Sequence, residues 1–235
     1  TAGSGNVHFD AAVGGNQRIG DLTITTAADV TFAAPVTAVS IDQQAGTGTT
    51  TFQNTINTND ATELGIDLNT VNVVLNGAVT TTGNGQVEIT NTGLLDIADT
   101  ADMTLSGAFL QNGGGAVQTA GSIETTGDTI DFTDSVALTD GAAADVLLDT
   151  TGGGAAGATI TFRNTLDGTA NGVEDLTLTA GSGNVNFDAE VGGTRRVGDV
   201  TVTSAVDVSL DTQFAAASFT QTTGTGTTPF DGHLD

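Results

Sequence analysis

The sequence predicts an all-β chain wound as a parallel β-helix, a β-solenoid of about nine rungs. Three observations carry this. Short runs alternate apolar and polar residues, the period-two signature of strands. No stretch sustains the 3.6-residue apolar periodicity of a helix. A long internal repeat recurs without insertion or deletion, and repeats built from short strands bury their apolar faces by stacking.

The repeat has a period of 178 residues. Residues 1–9 read TAGSGNVHF and residues 179–187 read TAGSGNVNF. At the same offset Val13, Gly14 and Gly15 fall on Val191, Gly192 and Gly193, and Arg18 falls on Arg196. Asp21 falls on Asp199, Asp29 on Asp207, and Phe52 on Phe230. About half of the overlapping positions are identical. Residues 1–235 therefore read as a single continuous solenoid, in which 1–178 is one full unit and 179–235 begins the next. Leu176-Thr177-Leu178, the front of a strand, precedes Thr179, whereas the chain opens directly on Thr1. It stops at Asp235, partway through the second unit. Open ends of this kind fit a window of a longer array, or molecules that pair end to end through uncapped rungs.

The rungs follow in order. Leu22-Thr23-Ile24-Thr25 is the first clear alternation, followed by Val39-Ser40-Ile41-Asp42, Leu64 to Leu68, and Val87-Glu88-Ile89-Thr90. Further segments begin near Ala116, Val146, Leu176, Val200 and Phe219. Thr, Val and Ile suit a pleated surface, and the runs end in Gly, Asn or Asp, which tolerate left-handed turns. Segment spacings run from about 17 to 30 residues, and extra residues loop out of a rung. At ~4.8 Å per rung, nine rungs make a rod on the order of 40 Å long.

Composition removes whole classes of function. Of the 235 residues 28 are acidic and 4 basic, for a net charge of −24. The four basic residues are Arg18, Arg163, Arg195 and Arg196. They cannot supply the basic face that nucleic acid or an anionic membrane surface requires. No apolar run approaches the length of a membrane span. With no cysteine there is no disulfide framework and no thiol nucleophile. With aromatics at 4% the core is built from small and β-branched residues.

No residue stands out as catalytic or cofactor-binding. His8 is matched by Asn186 one unit later and His233 by Thr55, so the repeat does not require imidazole at either place. No serine occupies a nucleophile-elbow pattern. Sugar-cleaving β-helices use clustered basic and acidic groups and aromatic platforms; here Arg195-Arg196 is the sole basic pair, and Trp and Tyr are absent. The chain reads as non-enzymatic. The recurring pairs Asp10/Asp188, Asp21/Asp199 and Asp29/Asp207 read first as turn caps bonding backbone N–H groups. Ca²⁺ at surface carboxylates is the one cofactor they suggest. Outward Thr23/Thr25, Thr177/Thr179 and Thr201/Thr203 suggest an ice-binding array, broken by Ser40/Asp42, Gly65/Asp67 and Glu88/Thr90.

The run from Leu176 to Asp188, followed by Val191-Gly-Gly and by Gly198-Asp-Val-Thr-Val-Thr, resembles the repeats of large bacterial β-strand-repeat surface proteins. These are similar to filamentous-haemagglutinin-type adhesins and autotransporter passenger regions. The resemblance implies a right-handed β-helix, secretion to the cell surface and an extended stalk or filament. The function it implies is structural: a stiff segment for adhesion or surface architecture, partnered by neighbouring repeats. The alternatives are a protomer of a homopolymeric fibre or sheath, and an ice- or cation-binding module.

Overall fold

The computed structural model describes residues 1–62, 64–139, 145–210, 212–230 and 233. It is a β-solenoid of ten turns, one more than the sequence spacing suggests. Every pairing between named strands is parallel. Each turn runs through three strand positions, giving three sheets that share one core. The first sheet starts at Val7–Phe9, Val30–Phe32 and Thr49–Phe52 and continues to Leu166–Gly168. Bridges at Val191 and Phe214 extend it by two turns. The second sheet is entered through bridges at Val13 and Ile19 and runs from Val36–Ala38 to Ala216–Gly224. The third runs from Leu22–Ile24 to Val208–Leu210, with a last bridge to Phe230. The only helical element among the described residues is a single 3₁₀ turn at Gly152–Gly154.

Most strands are three residues long, with the outer two buried and the middle one turned outward. Three residues are enough because stacking above and below supplies the cooperativity that length supplies elsewhere. Turn length is elastic. The step from Val117 to its stacked partner Val136 is 19 residues, and the next step, from Val136 to Leu166, is 30. The surplus leaves the rung at corners such as 150–158, where Gly153, Gly154 and Gly157 take positive φ.

The core is a set of inward ladders. One column of the third sheet runs Leu22, Ile41, Ile66, Val87, Phe109, Ile130, Ile160, Val185, Val208. Phenylalanines stack along two other stretches. Phe9, Phe32 and Phe52 have ring centroids 4.6 Å apart at each step, and Phe132, Phe162 and Phe187 follow at 5.5 and 5.3 Å. Ring stacking at the rung spacing fills the interior that Trp and Tyr leave vacant. Polar side chains enter the core beside corners, where backbone groups leave the ladder. The Thr50 hydroxyl donates to Gln43 Oε1 at 2.6 Å, and Gln111 Nε2 donates to Asn91 Oδ1 and to the Gly115 carbonyl.

The three strands of a turn are patterned alike, and this explains the undercount of rungs. The segments starting near Leu22, Leu64 and Val87 all lie on the third sheet, Ala116 leads into the first, and Val146, Leu176, Val200 and Phe219 lie on the second. The series of starts slips from one face to the next and loses a turn on the way.

Candidate functional site

The outward positions of the third sheet carry an acidic ladder. Asp42 sits at the centre of Ile41–Gln43 and stacks on Asp67, which stacks on Glu88. In-register parallel strands place such side chains one rung, ~4.8 Å, apart. Asp21 and Asp60 join them from neighbouring corners, and the five carboxylates line a groove of about 700 Å³. No basic residue lines it.

Neutral donors hold most of these carboxylates. The Ser40 hydroxyl donates to Asp21 Oδ1 at 3.0 Å, and Gln44 Nε2 donates to Asp42 Oδ2 at 3.1 Å. Asp60 Oδ1 accepts from the Thr62 amide at 2.7 Å and its hydroxyl at 2.6 Å. Asn112 Nδ2 donates to Glu88 Oε1 at 3.1 Å. The bonds from the Thr62 hydroxyl and then its amide hold the Asp60 carboxyl below the usual carboxylate range. Partial burial raises that of Asp67, with further contributions from Glu88 and then Asp42. The groove is thus a concentrated negative field able to gather cations. Among the described residues no group of three or more His, Asp or Glu side chains is disposed to hold a metal ion.

The recurring aspartates divide. Asp29 Oδ1 accepts from the Thr49 amide at 2.9 Å, and its counterpart Asp207 Oδ1 from the Thr227 amide at 2.7 Å. These are caps, but they reach across to the next turn rather than closing their own. Asp21 and Asp199 each take a serine hydroxyl from the next turn, Ser40 and Ser218. Asp10 lies 2.8 Å from His8 Nε2, with both side chains largely exposed. At His233, the backbone carbonyl accepts from the Phe214 amide, as that of Thr55 does from Val36.

The arginines fasten turns together. Arg18 donates to the carbonyls of Ala38 and Asn57 and to the Asn57 side chain, spanning three turns. Arg163 grips Asp131, one rung away, through Nε and Nη2. Arg195 donates to the Thr169 carbonyl. The 169–170 corner, to which Arg195 bonds, is anchored in turn by a buried carboxylate. Glu174, 2% exposed, accepts at Oε1 from the Thr169 amide and hydroxyl and from the Ala170 amide.

The threonine pairs form only a small patch. Thr177, Thr201 and Thr220 stack on the second sheet, beside Thr179, Ser204 and Thr223. A register shift puts Ser204 where Thr203 stands in the sequence pattern. Thr23 is on the third sheet and stacks on Asp42.

No family model, curated protein or solved structure matches this chain. The feature that sequence reasoning missed is the acidic ladder. Asp42, Asp67 and Glu88 stand in the sequence as three interruptions of a Thr-x-Thr pattern. Their spacings of 25 and 21 residues would have placed them on one column had the turn length been known.

Proposed function

We propose that the chain is a non-enzymatic structural segment of an extracellular surface protein, one stretch of a stiff rod that holds other parts away from a cell. The observation that supports this reading best is the passage from the first 178-residue unit into the second. The strand Asp175–Thr179 spans the boundary and pairs on one side with Asp145–Asp149 and on the other with Val197–Ala205. No linker separates the units, and the apolar core continues through Leu178, Ala180 and Val185 without a break. A fold that runs through its own sequence repeat lengthens by adding units, each contributing its own stability and that of its interface with the last. The acidic, lysine-free surface discourages rods from adhering to one another.

The mass of the native polypeptide, with electron micrographs of the same sample, tests this. A mass many times 23.2 kDa with rods of matching length is the expected result. A mass near 23.2 kDa with short particles would remove the stalk reading.

A further inference from the structure

The second unit repeats several bonds of the first, though not those of Arg18 or His8. Ser40 donates to Asp21 at 3.0 Å and Ser218 to Asp199 at 2.8 Å. Thr50 donates to Gln43 at 2.6 Å and Thr228 to Gln221 at 2.6 Å. Asn6 Oδ1 accepts from the Asp29 amide and Asn184 Oδ1 from the Asp207 amide. Gly14 and Gly192 share a φ near +70°, and an added Cβ would meet a carbonyl oxygen 2.0 Å away in both.

The faces, however, do not repeat. Val7–Phe9 lies on the first sheet and its counterpart Val185–Phe187 on the third. Leu22–Ile24 lies on the third sheet, and its counterpart within Val197–Ala205 on the second. Val13 bridges to Val36 on the second sheet, whereas Val191 bridges to Phe214 in line with the first. These three equivalences move by the same amount, from the first turn to the eighth or ninth and back by one face; the exception is Ile19, which bridges to Ala38 on the second sheet while its counterpart Val197 pairs with Ala216 on that same sheet. One unit therefore spans seven and two-thirds turns, or 23 strand positions, which is not a multiple of three.

We infer that tandem units stack as one uninterrupted solenoid in which each unit is rotated by a third of a revolution against the last. A surface patch borne by every unit then faces three directions in succession. It returns to its first direction after three units, 23 turns, which is about 110 Å at the parallel-strand spacing. Any partner that recognises a unit is met on all sides of the rod, so a single array can bridge neighbours in three directions. The inference rests on the reading that units follow one another in the native protein. Its physical basis is that different faces accept equivalent strands: Val-x-Phe lies on the first face at Val7–Phe9 and on the third at Val185–Phe187, and Leu22-Thr23-Ile24 of the third face is matched by Val200-Thr201-Val202 on the second.

The chain itself allows the test. The segment TAGSGNV occurs at residues 1–7 and again at 179–185, with Ser4 and Ser182 exposed at corresponding corners. A Fab selected on that peptide is bound in excess to the full chain and imaged by negative-stain electron microscopy. The expected particles carry two Fabs, about 37 Å apart along the rod at ~4.8 Å per rung and splayed by about a third of a revolution. Two Fabs leaving the same side overturn the rotation, as does a stoichiometry held at one by crowding on a single side. The native mass separates this from the stalk reading. A multi-unit mass with Fabs on one side leaves the stalk standing without the rotation, and a single-unit mass removes the array altogether.

Discussion

Asp67 is where the acidic face works against the fold. Its carboxyl is partly buried between two like-charged neighbours, so its folded pKa lies above that of the unfolded chain. The stability associated with it is present in full below the ordinary carboxylate range and is lost as pH rises through the folded value. Asp60 acts in the opposite sense: held low by Thr62, it loses its contribution as pH falls. Asp67→Asn is expected to stabilise the chain at neutral pH by about 0.2–1 kcal/mol, the scale of a like-charge pair on adjacent strands. The gain should vanish once Asp67 is protonated, and thermal melts of both proteins at neutral and acid pH read the difference. A second residue-scale contrast concerns glycine. Gly192→Ala puts a Cβ 2.0 Å from the Ala215 carbonyl oxygen at φ +67°, whereas Gly154→Ala meets open space at φ +82°. The second is expected to cost only the left-handed penalty of about 1–2 kcal/mol, and the first clearly more, since backbone must move. Denaturant midpoints compare them.

At the scale of the element, strength lies in the stacked interior. Phe132 is fully buried, and its ring sits between those of Phe109 and Phe162. Phe132→Ala is expected to cost about 3–5 kcal/mol, the range for emptying a core aromatic site. Arg163→Ala removes a two-pronged pair whose side chains are 51% and 19% exposed, and is expected to cost under about 1 kcal/mol. Urea unfolding of both variants ranks them. The elements also show what the sequence could tell. Alternation identifies Leu22–Ile24 or Val87-Glu88-Ile89-Thr90 as strands and names their inward residues, because apolar and polar atoms sort to opposite faces whatever lies around them. Alternation does not say which of three sheets a strand joins. That depends on the residues spent at each corner, and corners of Gly, Ser, Asn and Asp accept many lengths. The acidic ladder was invisible for the same reason: it exists only once Asp42, Asp67 and Glu88 are counted onto one face.

For the whole molecule the dominant long-range term is its net charge of −24. Self-repulsion along a thin rod opposes compactness and is relieved by salt. The melting temperature is expected to rise with ionic strength, and further with divalent ions at equal ionic strength. If the groove only gathers cations, Mg²⁺ and Ca²⁺ should act alike, and Asp67→Asn should reduce the effect of both. A marked preference for Ca²⁺ would instead indicate direct coordination by the carboxylates.

The interchangeability of the three faces bears on how such a gene changes length. A duplication or deletion by unequal recombination need not conserve whole turns to leave a foldable product. Removing any integral number of strand-and-corner segments rejoins an inward-patterned strand to a ladder that accepts it. Variants of the gene should therefore differ by steps of a strand, on the order of eight residues, as readily as by steps of a full turn. Each such step would redirect everything downstream of it around the axis, so that small changes in length become changes in the direction a distant part of the protein points.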